Sequence, residues 1–150
     1  MVIGRVDGVP TLSFRVGNER GNRILEAIIR VTSIRTEKHA EGGTFYRMYD
    51  LPLVRERSPA LTRSWIAMHA IDEKSLFHGA TMESLEKDEI ELLVTVIGTD
   101  DVSLQPVHAR KRYLAPDVVF GRRLADMLDV RADGSITLDM NKFHETEPLD

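Results

Sequence analysis

The sequence predicts an all-β fold, an antiparallel β-sandwich with one or two short helices. Three observations support this prediction. Segments in which apolar and polar residues alternate recur along the chain, with turn residues between them. One of these segments, residues 23–36, is much longer than its neighbours. A single stretch, after Thr81, has the composition and the capping residue of a helix. The 150 residues suffice for one domain with a buried core.

The predicted elements follow from these patterns in order. Strands are expected at residues 2–6, 11–16, 23–36, 44–54, 62–71, 89–97 and 103–113, with short terminal elements at 118–120, 125–130 and 135–138. Residues 55–59 are expected to form a charged loop. Thr81 is the predicted N-cap of the helix, and Glu83 is the acidic residue of its first turn. Gly98 is expected to end the strand at 89–97, either in a hairpin turn with positive φ or as a flexible girdle where backbones approach closely.

Composition excludes several classes of function. The formal net charge is −4, and the nearest approach to a basic stripe is residues 110–112, which argues against nucleic-acid binding. The chain has no cysteine, so neither a disulfide framework nor a thiolate metal site is expected. No segment approaches the roughly 20 apolar residues that cross a bilayer, and the first residues do not resemble a secretory signal. A soluble polypeptide is expected.

The sequence shows no arrangement of catalytic or metal-binding residues. The five histidines lie far apart, and none has the spacing of a helical zinc motif. Surface or hydrogen-bonded core positions are expected for them. Neither a glycine-rich phosphate loop nor a nucleophile elbow is present. We therefore expect no enzyme, no catalytic residue and no metal ligand.

The pattern that bears most on function is the charged face of the long alternating segment. Its core face is predicted to carry apolar residues, namely Leu25, Ala27, Ile29 and Val31. Glu26 and Arg30 would share the opposite face, where charges must meet water, a partner subunit or an aqueous channel. A solvated outer face is the default for such charges. A face that lines a polar passage in an oligomer is the functional alternative.

Six segments carry a resemblance to a known family. In chain order they are PTLSFRVGNERGNRILEA, SWIAMHAIDEKS, HGATMESL, ELLVTVIGTDD, HARKRYLAPDVVFGRR and KFHETEP. The sequence resembles the cytoplasmic domain of inward-rectifier potassium channels, and most of all their bacterial members. The likeness runs from about Gly4 to Pro148. Each segment alone is weakly specific, whereas six in the family's order are strongly specific.

The resemblance implies an immunoglobulin-like β-sandwich that assembles as a homotetramer, a four-fold ring beneath a transmembrane potassium pore. The membrane helices and the selectivity filter would lie upstream of Met1. The chain would be a gating and regulatory domain that extends the pathway of K⁺ at the cytoplasmic face of a bacterial inner membrane. A non-channel β-sandwich that binds a protein partner, and an enzyme on a sandwich scaffold, are the alternatives.

The resemblance also implies which residues line the passage. Glu26 matches a glutamate that faces the central vestibule and attracts cations and polyamines, and Arg30 would offset part of its charge. Residues Arg55, Glu56 and Arg57 match a loop that is acidic in eukaryotic relatives but net basic here. A vestibule of this composition would hold Mg²⁺ and polyamines less strongly than those relatives do.

A second implied site is a constriction at the top of the cytoplasmic passage. Gly98 matches the glycine of the family's constriction loop, so Ile97, Gly98 and Thr99 would form a narrow girdle with Asp100 just beyond it. Eukaryotic relatives often have an acidic residue where this chain has Ile97. Arg20 matches an arginine linked to lipid sensitivity in relatives. It is expected either to couple the channel to anionic lipid or to form a salt bridge at a subunit interface.

Overall fold

Two β-sheets packed face to face form the body of the chain in a computed structural model, which describes residues 1–149. The strands in chain order are β1 (Val2–Val6), β2 (Val9–Gly17), β3 (Ile24–Lys38), β4 (Thr44–Leu51), β5 (Arg57–Leu61), β6 (Ser64–Ala70), β7 (Glu91–Asp100), β8 (Pro106–Leu114), β9 (Val119–Phe120), β10 (Arg122–Leu124), β11 (Leu128–Val130), β12 (Ile136–Leu138) and β13 (Thr146–Pro148). The helix α1 covers Met82–Lys87, and short 3-10 turns cover Ala115–Asp117 and Met140–His144. The predicted all-β fold is confirmed.

The long strand β3 organises the second of the two sheets. The first sheet has the order β6-β2-β1-β9, in which only β1 and β9 run parallel. The second has the order β4-β3-β7-β8 and is antiparallel throughout. Along one edge of β3, β5 pairs with residues 24–28 and β4 with residues 31–38. The C-terminal part of the chain adds two small sheets, β10-β13 and β11-β12.

The core lies between the two sheets. Leu12 and Phe14 of β2 and Ala67 of β6 belong to the same buried cluster as Ile29 of β3 and Leu92 of β7, and each is at most 3% exposed. Burying a large apolar side chain contributes roughly 1.5–3 kcal/mol of stability. The sheets therefore share one hydrophobic core, as period-two alternation predicts for a sandwich.

Helix α1 begins where the sequence predicts. The Thr81 hydroxyl accepts a hydrogen bond from the Ser84 N–H at 3.3 Å, and the Ser84 hydroxyl accepts one from the Thr81 N–H at 2.9 Å. This reciprocal capping box satisfies two N–H groups that have no partner within the helix. Leu85, only 1% exposed, packs the helix against the core.

The predicted loop at residues 55–59 is wrong in its second half, because β5 begins at Arg57. Ser58 and Leu61 are buried, while Arg57 and Pro59 are exposed, as in a strand with one buried face. Proline normally argues against a paired strand because it lacks an N–H. The ladder between β5 and β3 places Pro59 opposite Glu26, between two paired positions, and the strand tolerates it there.

Other strand ends differ from the sequence prediction by a few residues. The strand predicted at 44–54 ends at Leu51, the one at 23–36 extends to Lys38, and the element at 125–130 is reduced to Leu128–Val130. The sequence did not predict β10 and β13. These strands have three residues each, too few for alternation to be recognised.

Arg15 of β2 holds the C-terminal segment against the first sheet. Its guanidinium donates hydrogen bonds to the backbone carbonyls of Lys142 and Phe143, both at 3.0 Å, and to the carbonyl of Ala125. Gly17, two residues further along β2, leaves room for the Phe143 ring, which an added Cβ would approach to 2.7 Å. Two positions of one strand thus fix the segment that carries the last 3-10 turn.

Candidate functional site

Glu26 lies on a β-bulge in β3. Between Leu25 and Ile28 the pairing of β3 with β7 shifts register, so Glu26 and Ala27 together face the single residue Gly98. Glu26 has a φ of 51°, in the left-handed region that non-glycine residues rarely adopt. Its side chain is 58% exposed. The bulge therefore presents a carboxylate to solvent at one end of the sheet.

The bulge also changes which residues of β3 face the core. After the bulge, Ala27 and Ile29 are buried as predicted. Before it, Ile24 is buried and Leu25 is only half-buried. The prediction that Leu25 lies on the core face is wrong, because one extra residue in a strand exchanges its two faces.

Gly98 lies within β7 and is buried. The prediction that it ends the strand in a positive-φ turn is wrong, since the strand continues to Asp100 and Gly98 is not among the positive-φ glycines. An added Cβ would overlap the Ile24 side chain and lie 3.0 Å from the Leu25 carbonyl oxygen. Glycine is required here because the bulged part of β3 approaches β7 closely.

Glu26 forms an ion pair with Arg57 of β5. The Nε of Arg57 donates a hydrogen bond to Glu26 Oε2 at 2.6 Å, and a second guanidinium nitrogen lies 2.5 Å from the same oxygen. Both side chains are more than half exposed, so the pair adds little to stability. Its effect is electrostatic: Arg57, rather than Arg30, is the residue that directly offsets the charge of Glu26.

The three predicted residues of the charged segment 55–57 contact three different parts of the structure. The Arg55 guanidinium lies 4.9 Å from the centre of the Trp65 ring on β6, in a cation–π contact. Glu56 contributes its backbone carbonyl, which accepts a hydrogen bond from the Ile29 N–H at 2.8 Å, while its side chain is exposed. Of the three, Arg57 is the residue that contacts the bulge carboxylate.

The exposed side of the second sheet, which we call the outward face, is mixed in character. Arg57, Ile28, Ile97 and His108 are successive cross-strand partners on β5, β3, β7 and β8, and such partners share one face. Ile28 is 36% exposed and Ile97 is 37% exposed. Arg30 is exposed on the same face, two residues further along β3. Apolar and charged groups therefore stand side by side around the ion pair.

The turn between β7 and β8 presents two apolar side chains that the sequence analysis did not single out. Val102 is 80% exposed and Leu104 is 70% exposed. Leu104 has a φ of 56°, which is uncommon for a leucine. A signal was available, because two large apolar residues stand in an otherwise polar turn. This turn, residues 101–105, is the loop that directly follows the predicted constriction residues.

Asp100 ties this turn to the loop before β3. Its carboxylate accepts hydrogen bonds from the Val102 N–H at 2.8 Å, the Ser103 N–H at 3.0 Å and the Asn22 amide at 2.6 Å. The bonds from Ser103 and Val102 lower the pKa of Asp100, with smaller contributions from Asn22 and from the charge of Arg20. Arg20 and Asp100, two predicted site residues, line the same surface cavity.

His69 is a hydrogen-bonded histidine of the core, where it is only 4% exposed. Its Nδ1 lies 2.7 Å from the Pro52 carbonyl oxygen and its Nε2 lies 2.7 Å from the Ser75 hydroxyl. Nδ1 carries a proton, because a carbonyl oxygen only accepts.

Within residues 1–149, no group of three or more histidine, aspartate or glutamate side chains is placed to hold a metal ion. That same part of the chain contains no helix with the length and apolar character needed to cross a membrane.

Comparison with known proteins identifies the family. The family model described as "Inward rectifier potassium channel C-terminal domain" matches residues 1–150. The chain is 39% identical over 145 residues to the inward rectifier potassium channel Kirbac3.1 of Paramagnetospirillum magnetotacticum. The aligned region covers 97% of this chain and 49% of that protein. It is 32% identical over 150 residues to G protein-activated inward rectifier potassium channel 3 of Homo sapiens, covering 97% of this chain and 38% of that protein.

The chain thus spans about half the length of these relatives or less. The relatives are potassium channels and not enzymes. The match covers every segment on which the resemblance rested, from PTLSFRVGNERGNRILEA, which begins in β2, to KFHETEP near the C-terminus. The chain belongs to the family of inward rectifier potassium channel C-terminal domains.

Proposed function

We propose that this chain is the cytoplasmic gating and regulatory domain of an inward-rectifying potassium channel, and that four copies form a ring around the inner part of the K⁺ pathway. The observation that carries the proposal is the bulge, which holds Glu26 in a left-handed conformation and turns it outward. Such a conformation costs of order 1 kcal/mol. A four-fold ring would explain why the strained conformation is kept, because it converts one carboxylate into a circle of four.

A ring of carboxylates in a narrow aqueous passage concentrates cations and rejects anions. In this chain each Glu26 is paired with Arg57, so the potential is weaker than free carboxylates would give. K⁺ would pass, while Mg²⁺ and polyamines would be held loosely. Block by these cytoplasmic cations, and therefore rectification, would be correspondingly weak.

The narrow part of the passage would be built from β7 and the turn that follows it. Ile97 and Thr99 lie on the outward face, whereas Gly98 faces the core and shapes the strand. Val102 and Leu104 project from the turn and would approach the four-fold axis as apolar side chains. An apolar constriction closes a channel to ions by excluding water.

The main partner would be the transmembrane pore domain of the same channel, on the inner face of the bacterial membrane. Arg20, in the loop that Asn22 ties to Asp100, would relay contact with anionic lipid or with a neighbouring subunit to the turn. Rigid-body rotation of the four domains would change the turn's distance from the axis, because interfaces between packed units tend to have two discrete arrangements.

The test of this function is block of a full-length channel by spermine applied to the cytoplasmic side. Arg57→Gln frees the Glu26 carboxylate in each subunit, so we expect spermine to bind more tightly. The half-blocking concentration should fall about tenfold. Current recorded from inside-out membrane patches over a range of spermine concentration measures this effect.

The matched control is Arg123→Gln. Arg123 is as exposed as Arg57 and is paired with a carboxylate, Glu147, but it lies in the small sheet β10-β13. Spermine block should not change in this variant. An Arg57→Gln channel with the block of the parent would show that Glu26 does not face the ion passage.

A further inference from the structure

The strands of the second sheet carry six arginines, of which four are ion-paired. The pairs are Arg35 and Arg47 with Glu37, Arg57 with Glu26, and Arg112 with Glu91. Within residues 1–149, the remaining two, Arg30 and Arg110, form no ion pair. Both are exposed.

These two arginines stand on either side of one threonine. Thr95 of β7 is the cross-strand partner of Arg30 on β3 and of Arg110 on β8. Cross-strand partners point to the same face of a sheet, so all three side chains lie on the outward face. Two steps of about 4.8 Å between strands separate the Cα atoms of the arginines by about 10 Å. Long flexible side chains at this spacing can hold two parts of one ligand on either side of the hydroxyl.

In the described part of the chain, no carboxylate is in direct ionic contact with either arginine. Asp50 shares the outward face, but its carboxylate accepts a hydrogen bond from the Thr32 hydroxyl at 2.9 Å and is not ion-paired with Arg30. His108, two residues before Arg110 on β8, is a further donor on this face. In a ring of four subunits the arginine pairs would oppose the attraction of K⁺ by the Glu26 carboxylates. A bound anion would remove that opposition.

We propose that Arg30, Thr95 and Arg110 form a binding site for the phosphate groups of a soluble oligophosphate. Guanidinium groups bind phosphate oxygens through two parallel hydrogen bonds, and the threonine hydroxyl supplies another donor. A chain of phosphates suits the spacing of the arginines better than a single phosphate does. All three residues of the site belong to one chain, so binding does not need the ring. The effect of binding on K⁺ flow rests on the proposed function.

Calorimetric titration of the 150-residue chain with inorganic tripolyphosphate tests the site. At about 50 mM salt, where charges are weakly screened, we expect one ligand per chain. Arg30→Gln and Arg110→Gln should each weaken binding about tenfold, and the double variant should bind too weakly to measure. Arg131→Gln is the control, since it removes one exposed arginine from the turn between β11 and β12. Its affinity should stay within about twofold of the parent.

Two results would overturn the proposal. The first is an equal loss of affinity in Arg131→Gln, which would show that the effect reflects net charge alone. The second is the absence of tripolyphosphate binding by the parent chain, and a parallel measurement with vesicles of anionic or neutral phospholipid shows what the site binds in that case. Binding to anionic vesicles that depends on Arg30 and Arg110, without binding of tripolyphosphate, would assign the site to lipid headgroups. Both measurements use the isolated chain, so failure of the spermine experiment would leave the phosphate site standing.

Discussion

Replacing Gly98 with valine is expected to lower the free energy of unfolding by about 3 kcal/mol. A side chain at this position would overlap Ile24 and press on the Leu25 carbonyl oxygen, which belongs to the backbone of the bulge and cannot rotate away. The change would force β3 and β7 apart where Glu26 is presented. Urea denaturation of the chain measures the loss, and the midpoint of thermal unfolding should fall by roughly 6–12 °C.

Gly21→Ala is the matched control for this prediction. Gly21 has no atom within 4 Å of an added Cβ and no positive φ, so alanine there should change stability by less than about 0.5 kcal/mol. Gly98→Ala provides a milder variant if the valine variant does not fold. A Gly98→Val chain as stable as the parent would show that the close approach of the two strands does not need glycine.

Replacing Arg15 with methionine is expected to release the C-terminal segment while leaving the sandwich folded. Methionine keeps most of the length of the side chain but removes the hydrogen bonds to the carbonyls of Ala125, Lys142 and Phe143. Hydrogen bonds from charged groups contribute about 1.5–3 kcal/mol each, and released carbonyls regain water. We expect the local opening energy of this segment to fall by about 3 kcal/mol.

Amide hydrogen exchange reports this release directly. The Ala125 N–H donates to the Glu145 carbonyl across the segment, and in Arg15→Met it should exchange about a hundredfold faster. Amides of β3 and β7 should keep the exchange rates of the parent. Arg5→Met, at an exposed position of β1, should leave Ala125 protected. Equal acceleration across the whole chain would contradict a local role for Arg15.

The fold class was predictable because alternation is a local property of the sequence. Ile29 and Val31 alternate with exposed or half-buried residues in the part of β3 where pairing is regular, and both are buried. The bulge was not predictable, because its left-handed residue is a glutamate rather than the glycine that usually marks such a position. A single extra residue then moved Leu25 off the core face.

The candidate site depended on contacts between distant parts of the chain. The pair of Glu26 and Arg57 joins residues 31 positions apart, and it exists only because β5 lies beside β3. A charged segment that ends in proline is typical of a loop, so the sequence did not indicate this strand. The family resemblance identified Glu26 and Gly98 as candidate site residues, but it did not predict the bulge at Glu26 or the close approach of the strands at Gly98. The structure supplies that reason, since Gly98 makes room for the bulge that carries Glu26.

The central claim, that Glu26 faces the ion passage of a four-fold ring, is tested most directly by cysteine modification. This chain has no cysteine, so Glu26→Cys introduces a single thiol into the domain. A cationic thiol reagent applied to the cytoplasmic side of the full-length channel should reduce K⁺ current in Glu26→Cys and have no effect in Arg123→Cys. Complete labelling of Glu26→Cys, verified by mass, with an unchanged current would contradict the account.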